Sequence, residues 1–503
     1  EFSKYLEPRF IHFMLAHLCS CKPMNHPLSP FPLHIFRAYD IRGKESVLTA
    51  NLVHAIAQGL VQQYQQHQQN QISIGYDARL NSPAYAEIVR HVFLAHQFQV
   101  KMVGCCSSPM LYFMARLTAG NGIMLTASHN PKSDNGIKWI IQGEPPTPEM
   151  IQQVAHDAAP HYLNTDAATF IELQHADNIS HEFIEDACQQ YQNAMLQDLH
   201  LARTYKVVLD GMYGSAGHCA ALVLQKMGCE VIALRCEANG HFPEHAPDPS
   251  QEKHLQHLKT AVREHQADIG IALDGDGDRV VLLDECANVL SADRLLSLFA
   301  EMCLKTHPQH QVVFDVKCST MVRNTVRDLG GEAVMIRTGS TFLRRYLAQS
   351  QGKAVFGGEY AGHYVFNDGR GFGYDDGIYA ALRVLEYLSH STYSSLSALM
   401  QKYPERCCTE DTYISTRNIE PSTVLNDVES YSHRSGAELS KIDGIRLDFE
   451  DGFGIIRASN TGEYFTVRFD ADNPSRLNDI RDTFVSMLSE RYPEIAQDIL
   501  DAQ

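Results

Sequence analysis

Short apolar runs alternate with amphipathic stretches along most of the chain. Three segments repeat one order: an apolar strand, a polar turn, an amphipathic helix and a second apolar strand. They are ISIGYDARLNSPAYAEIVRHVFLAHQFQVKMVG (72–104), KVVLDGMYGSAGHCAALVLQKMGCEVIAL (206–234) and QVVFDVKCSTMVRNTVRDLGGEAVMI (311–336). In each, the first strand ends at an aspartate: Asp77, Asp210 and Asp315. A recurring unit of this kind predicts repeated α/β domains whose ligand sites lie beyond the strand C-termini. The last hundred residues differ. There FGIIRASNTGEYFTVRFDAD gives two strands around a polar loop, followed by an amphipathic helix from Asn473 onward, which predicts a smaller α+β domain. Boundaries are expected near 175, 288 and 402. The run VQQYQQHQQNQ (61–71) reads as a solvated helix end.

A chain of 503 residues is too long for one core, in keeping with several domains. Apolar content of 44% and charged content of 20% are ordinary for a soluble globular protein. The net charge of −18 argues against nucleic acid or an anionic membrane as the main partner. It leaves room for an anionic small molecule in a locally basic pocket. Thirteen cysteines without regular spacing or a CxxC pair read as reduced, mostly buried thiols of a cytoplasmic protein. The early run FIHFMLAHLCSC is too short to span a bilayer, and Glu1 and Glu7 dilute the basic charge of a secretion signal. Residues 1–33 are expected to be an extension, partly vector-derived or upstream-translated, with Met24 a candidate natural start.

Four polar loops carry candidate chemistry. DGDGDR (274–279) stands between the apolar runs DIGIAL and VVLLD, and its three alternate carboxylates can converge on one hard divalent cation. Asp274, Asp276, Asp278 and Glu285 also match four EF-hand positions. Arg279, however, stands where that loop requires glycine, and VVLLD reads as a strand inside it. Three aspartates leave coordination positions open for water or a phosphate. TASHNP (126–131) offers Ser128 as a phosphate carrier, with Lys138 and Arg279 as further positive charge. RASNTGE (457–463) joins two strands with a guanidinium, two hydroxyls and an amide, a set able to grip a phosphate dianion, although polar hairpin loops are common. GGEYAGH (357–363) places Glu359 and His363 on a glycine-rich turn where a carboxylate can accept sugar hydroxyls, or which is simply a turn.

The combination FRAYDIRG (36–43), TASHNP, DGDGDR, GGEYAGH and RASNT, in this order, strongly resembles the α-D-phosphohexomutase superfamily. FRAYDIRG and RASNT resemble its phosphomannomutase/phosphoglucomutase branch. The resemblance implies three repeated α/β domains with mixed sheets plus a smaller C-terminal α+β domain around a central active-site cleft. The divisions are expected at 34–175, 176–288, 289–402 and 403–503. It implies a phosphoserine at Ser128, whose phosphate with Asp274, Asp276 and Asp278 holds Mg²⁺. It also implies interconversion of hexose 1- and 6-phosphates, glucose or mannose, through a 1,6-bisphosphate that also serves as activator. Arg457, Ser459, Asn460 and Thr461 match the grip on the non-reacting phosphate, and Glu359 and Lys317 the grip on the sugar. Tyr39 and Arg42 match residues near the reaction centre, and Lys138, His129 and His363 are candidates for proton transfer. A monomer is expected, with a dimer as the alternative.

Four positions depart from the usual pattern: Ser340 in RTGST replaces a histidine, Tyr360 a methionine, Ala361 a serine, and Glu463 a proline. Loss of the serine hydroxyl removes a sugar contact worth ~1 kcal/mol. A carboxylate at 463 weakens the phosphate site unless it points away. Phosphoglucosamine or another sugar as substrate, a phosphatase that loses its phosphoryl group to water, and a relative without turnover stand as alternatives. Retention of Ser128, the three aspartates, Arg279 and Lys138 speaks against the last.

Overall fold

The computed structural model of the chain describes residues 31–164, 182–184, 186–433, 435–459 and 463–501. The boundary expected near 175 and the start considered at Met24 fall outside them. The first domain contains β1 (Ile41–Lys44), β2 (Gln71–Tyr76), β3 (Gln99–Cys105), β4 (Gly122–Leu125), β5 (Asp134–Ile140) and β6 (Glu182–Phe183), in the sheet order β1-β5-β4-β2-β3-β6. The second contains β7 (Lys206–Asp210), β8 (Glu230–Leu234), β9 (Ile269–Leu273) and β10 (Val280–Leu283), ordered β10-β9-β7-β8. The third contains β11 (Gln311–Asp315), β12 (Glu332–Ile336), β13 (Ala354–Gly358) and β14 (Tyr364–Phe366), ordered β12-β11-β13-β14.

One topology underlies all three. The strand that ends at or just before the aspartate lies in the middle, with two parallel neighbours. The chain then returns in an antiparallel fourth strand, β5, β10 or β14. Parallel neighbours require helical crossovers, which cover the sheet faces and demand the near-continuous apolar strands seen in the sequence. Thus β4, β9 and β13 are buried along their whole length. The turn from the third strand into the antiparallel fourth is the loop that carries TASHNP, DGDGDR or EYAGH. The three motifs therefore occupy equivalent places in three copies of one unit. Direct pairing of Leu273 with Val280 makes DGDGDR a strand-to-strand turn, not an EF-hand loop.

The C-terminal domain is antiparallel. β17 (Glu438–Ser440), β18 (Ile445–Asp448), β19 (Gly452–Ala458) and β20 (Tyr464–Ala471) are joined by β15 (Cys407–Cys408) and β16 (Thr412–Ser415), both paired with β20. Asn473 caps the helix Pro474–Leu488, its side chain accepting from the Arg476 amide. The apolar core of the second and third domains is continuous and takes in the helix Ser108–Ala115 of the first. The first and the C-terminal domains each add a core of their own. The C-terminal domain meets the third mainly through polar contacts. Arg446 Nη1 donates to the carbonyls of Val316 (2.5 Å) and Cys318 (2.7 Å), beside a small apolar patch of Val316, Phe453 and Ile455. All cysteines among the described residues are free thiols. No helix among those residues is long and apolar enough to cross a membrane.

The glutamine-rich run departs from expectation. It becomes exposed only from Gln65 onward, while Gln63 and Tyr64, at the end of the helix Ala50–Gln66, are buried. Gln63 accepts from Trp139 Nε1 at 2.8 Å and donates to Met150 O at 2.8 Å, and the Tyr64 hydroxyl donates to Ile140 O at 2.8 Å. Satisfied amide and phenol groups are tolerated in a core, so polarity along the sequence hid a packed face.

The strand-end aspartates hold the functional loops in place. Asp77 accepts from Thr126 Oγ1 (2.8 Å), Ser82 Oγ (2.7 Å) and Arg79 Nε (3.0 Å). Arg79, buried beneath the 126–133 loop, donates to the carbonyls of Ser128, Asn130, Pro131 and Asp134 at 2.6–3.0 Å. In the third domain Asp315 accepts from Thr338 Oγ1 (2.8 Å) and the Tyr360 amide (3.1 Å). Arg79→Met should therefore leave four carbonyls without their donor and the buried Asp77 without its counter-charge, at a cost of roughly 3–5 kcal/mol. Denaturant unfolding checks this, and Arg79→Lys should recover little of the loss, because an ammonium lacks the planar fork. Unchanged unfolding midpoints would show that the loop is held by other means.

Candidate active site

A cleft of about 600 Å³ is lined by residues of all four domains. Tyr39, Arg42, Ser128, His129 and Lys138 enter it from the first domain and Arg279 from the second. Lys317, Glu359 and His363 come from the third, and Arg457 and Ser459 from the C-terminal domain. Asn460 and Thr461 lie outside the described residues. Asp274, Asp276 and Asp278 are buried, and their carboxylates reach the cleft floor through Ser128 and Lys138.

Ser128 occupies a left-handed backbone conformation (φ 52°), uncommon for a residue with a side chain and often stored at functional positions. Its amide donates to Thr126 Oγ1 at 2.8 Å, and its hydroxyl donates to Asp274 Oδ2 at 2.7 Å, with His129 Nδ1 3.2 Å away. The two loops touch closely: a Cβ on Gly275 would stand 2.5 Å from the Ser128 carbonyl oxygen, so glycine is required there. The three aspartates bring carboxylate oxygens within 4.8 Å of one another. Burial, with Asp278 and Asp276 nearby, pushes the Asp274 carboxyl well above the usual range. Asp276 Oδ1 and Asp278 Oδ1 are buried without a hydrogen-bond partner. Orphaned hard oxygens in a cluster of like charge suit a hard divalent cation, so the donor set fits the metal expected from the sequence.

Positive groups surround this cluster. Lys138 Nζ donates to Asp276 Oδ2 (2.8 Å) and Asp278 Oδ2 (2.7 Å). Burial opposes its charge, but these two carboxylates outweigh it and raise the ammonium well above its ordinary value. Burial, then Arg279 and Arg42, hold His129 well below the usual imidazole range, so it is neutral near pH 7. Arg279 Nε stands 2.9 Å from His363 Nε2, and His363 Nδ1 lies 2.8 Å from Asp375 Oδ2. Burial and Arg279 oppose a charge on this imidazole, but Asp278 and Asp375 outweigh them and raise it above its ordinary value. Arg42 pairs with Asp40 (2.6 Å) and donates to Asn130 Oδ1 (2.8 Å).

The remaining groups are also paired with carboxylates or amides. Lys317 Nζ meets Asp411 at 2.6 Å, Arg457 Nη2 meets Asp443 at 2.9 Å, and Glu359 Oε1 accepts from the Gly339 amide at 2.5 Å. Asp375, Asp411 and Asp443, together with Ser108, which donates to Asp276 Oδ2 at 2.6 Å, were not picked out from the sequence. Nothing in the local pattern of these three aspartates marks them among 60 acidic residues. Of the departures, Ser340, Tyr360 and Ala361 line the cleft. The Glu463 side chain is exposed and is not among the cleft residues, while its carbonyl accepts from the Thr416 amide at 3.1 Å.

Comparison with known proteins agrees with this geometry. The phosphoglucomutase/phosphomannomutase alpha/beta/alpha domains I, II and III match residues 33–161, 182–287 and 291–407. A phosphomannomutase/phosphoglucomutase of Pseudomonas syringae pv. tomato is 35% identical over 477 residues, covering 94% of this chain and 99% of that protein. A phosphoglucomutase of Neisseria meningitidis is 33% identical over 458 residues, covering 90% of this chain and 96% of its own. The crystal structure of a phosphoglucomutase/phosphomannomutase family protein from Burkholderia thailandensis superposes with a TM-score of 0.82 at 30% identity, over 92% of this chain and 98% of that one. Three successive domain matches, full-length relatives and loops converging on one cleft place the chain in the phosphoglucomutase/phosphomannomutase family of α-D-phosphohexomutases.

Proposed function

We propose that this protein interconverts hexose 1-phosphate and hexose 6-phosphate, glucose or mannose, through a phosphoserine at Ser128 and a 1,6-bisphosphate. The observation that carries the reading is the Ser128 hydroxyl on Asp274, at the edge of three buried carboxylates and inside a cleft that also holds Arg457. Phosphorylated Ser128 with Asp274, Asp276 and Asp278 would hold Mg²⁺, which when bound offsets charge on the transferring phosphoryl group. In the transfer, the bond from phosphorus to Ser128 Oγ breaks and a bond to a sugar hydroxyl oxygen forms. The hydroxyl proton passes to a neighbouring base and returns in the reverse step. His129, neutral and 3.2 Å from Ser128 Oγ, is suited to that proton. Lys138, held as an ammonium by Asp276 and Asp278, supplies charge, and His363 orients Arg279.

The phosphate that does not react is assigned to Arg457 and Ser459, with Asn460 and Thr461. The sugar is assigned to Glu359 and Lys317, and Tyr39 and Arg42 close the site near Ser128. Glucose or mannose 1,6-bisphosphate is the natural source of the phosphoryl group on Ser128. Ser340, Tyr360 and Ala361 line the cleft, so the ratio between sugars is the property most exposed to the departures from the family pattern.

Glucose 1-phosphate and mannose 1-phosphate, each with Mg²⁺ and trace bisphosphate, should yield 6-phosphates with little free phosphate. Chelation should stop turnover and Mg²⁺ should restore it. Free phosphate as the main product would make the protein a phosphatase instead.

A second prediction concerns pH. Burial, with Asp315 nearby, raises the Glu359 carboxyl to about 7 despite His363 and the Gly339 amide. Only the carboxylate accepts from sugar hydroxyls without donating, and its fraction shrinks as pH falls through that value. In the wild type kcat/KM should therefore decline on the acid side of about 7. Glu359→Gln should lower kcat/KM at pH 8 by about ten- to a hundredfold and flatten that limb, as loss of a charged hydrogen bond implies. An identical acid limb in the variant would remove Glu359 from the sugar grip.

A further inference from the structure

Arg457 lines the cleft already paired: Asp443 Oδ2 lies 2.9 Å from its Nη2, both side chains being largely buried. Asp443 comes from the turn before β18, and that turn presses on β19. A Cβ on Gly444 (φ 85°) would stand 2.4 Å from Ile456 O and 2.6 Å from the Arg457 Cα, so glycine there permits the close approach. The same Asp443 oxygen accepts from the Thr338 amide of the third domain at 3.3 Å. The next amide, Gly339, donates to Glu359 Oε1 at 2.5 Å. Two consecutive amides are thus divided between the carboxylate beside the phosphate arginine and the carboxylate of the sugar loop. Thr338 Oγ1 ties the same strap to Asp315, whose other oxygen takes the Tyr360 amide.

We propose that Asp443 is a positioning residue that tempers the grip of Arg457 on the substrate's non-reacting phosphate, an inference that rests on the phosphate role assigned to Arg457 above. In the free enzyme it satisfies a buried guanidinium that otherwise has its Nε without a partner. When a phosphate arrives, Arg457 must share its charge between that phosphate and Asp443. The net attraction is therefore smaller than an unpaired arginine gives. A bisphosphate that turns end for end has to leave this grip once per cycle. Binding that is equally strong in every bound state lowers KM without speeding chemistry, and here it also slows the turn. Through Thr338 and Gly339 the same carboxylate keeps the strap beside Glu359 in register with the phosphate arginine.

Asp443→Asn keeps the shape and an acceptor for the Thr338 amide while removing the charge. Its KM for glucose 1-phosphate and its inhibition constant for inorganic phosphate should both fall, by about three- to tenfold, and kcat should fall with them. The same substitution in an Arg457→Ala background should leave both constants where Arg457→Ala alone puts them. Asp443→Ser, and calorimetric titration with inorganic phosphate, give the same reading without reliance on one variant or on turnover. A KM and phosphate constant that stay unchanged or rise, or a shift that persists without Arg457, would overturn the tempering role. If Arg457→Ala alone left the KM at the wild-type value, the phosphate assignment of Arg457 would fail instead.

Discussion

Three carboxylates brought within 4.8 Å of one another in a dry seam between domains cannot all remain anionic without compensating positive charge. Much of the cleft follows from that constraint. Lys138 lies across Asp276 and Asp278 as an ammonium, and the Asp274 carboxyl is pushed upward and takes the Ser128 hydroxyl. His129 is kept neutral by burial and by Arg279 and Arg42. Two carboxylate oxygens have no hydrogen-bond partner, and the cluster is able to hold a cation there. The same concentration of charge that would destabilise an isolated domain is built at a junction, where groups from several domains share in balancing it.

The junction exists because one topological unit is used three times. A parallel trio followed by an antiparallel return puts a turn at the same end of each sheet, and these turns carry Ser128, the metal-type carboxylates and Glu359. A shared apolar core fixes the second and third domains to each other and to the helix Ser108–Ala115. The C-terminal domain is bound differently, through the buried Arg446, which reaches the carbonyls of Val316 and Cys318. The loop bearing Lys317 is therefore held from both sides, by the Cys318 thiol donating to Asp315 within its own domain and by Arg446 from the next.

Much of this was legible in the sequence. The repeated strand–helix pattern announced three units, and alternating aspartates on glycines announced a metal-type turn, because both signals are local. What stayed hidden depends on residues far apart in the chain. Asp77 and Asp315 were visible as strand ends, but their work as anchors, through Arg79 in the first domain and Thr338 in the third, needs the folded loops. Asp411 and Asp443 pair with Lys317 and Arg457 across 94 and 14 positions. In so acidic a chain neither has a local mark. Gln63 and Tyr64 misled in the other direction, since their polarity serves buried hydrogen bonds. Ser128 stood out as a candidate by its motif, whereas its left-handed backbone has no mark in the sequence.

A phosphoryl group on Ser128 is open to direct detection in protein exposed to glucose 1,6-bisphosphate with Mg²⁺ and then digested for peptide mass mapping. About one phosphoryl group per chain should appear on Ser128 and should disappear on addition of excess hexose monophosphate. Phosphate at another residue, or a Ser128→Ala protein with full mutase turnover, would contradict the account.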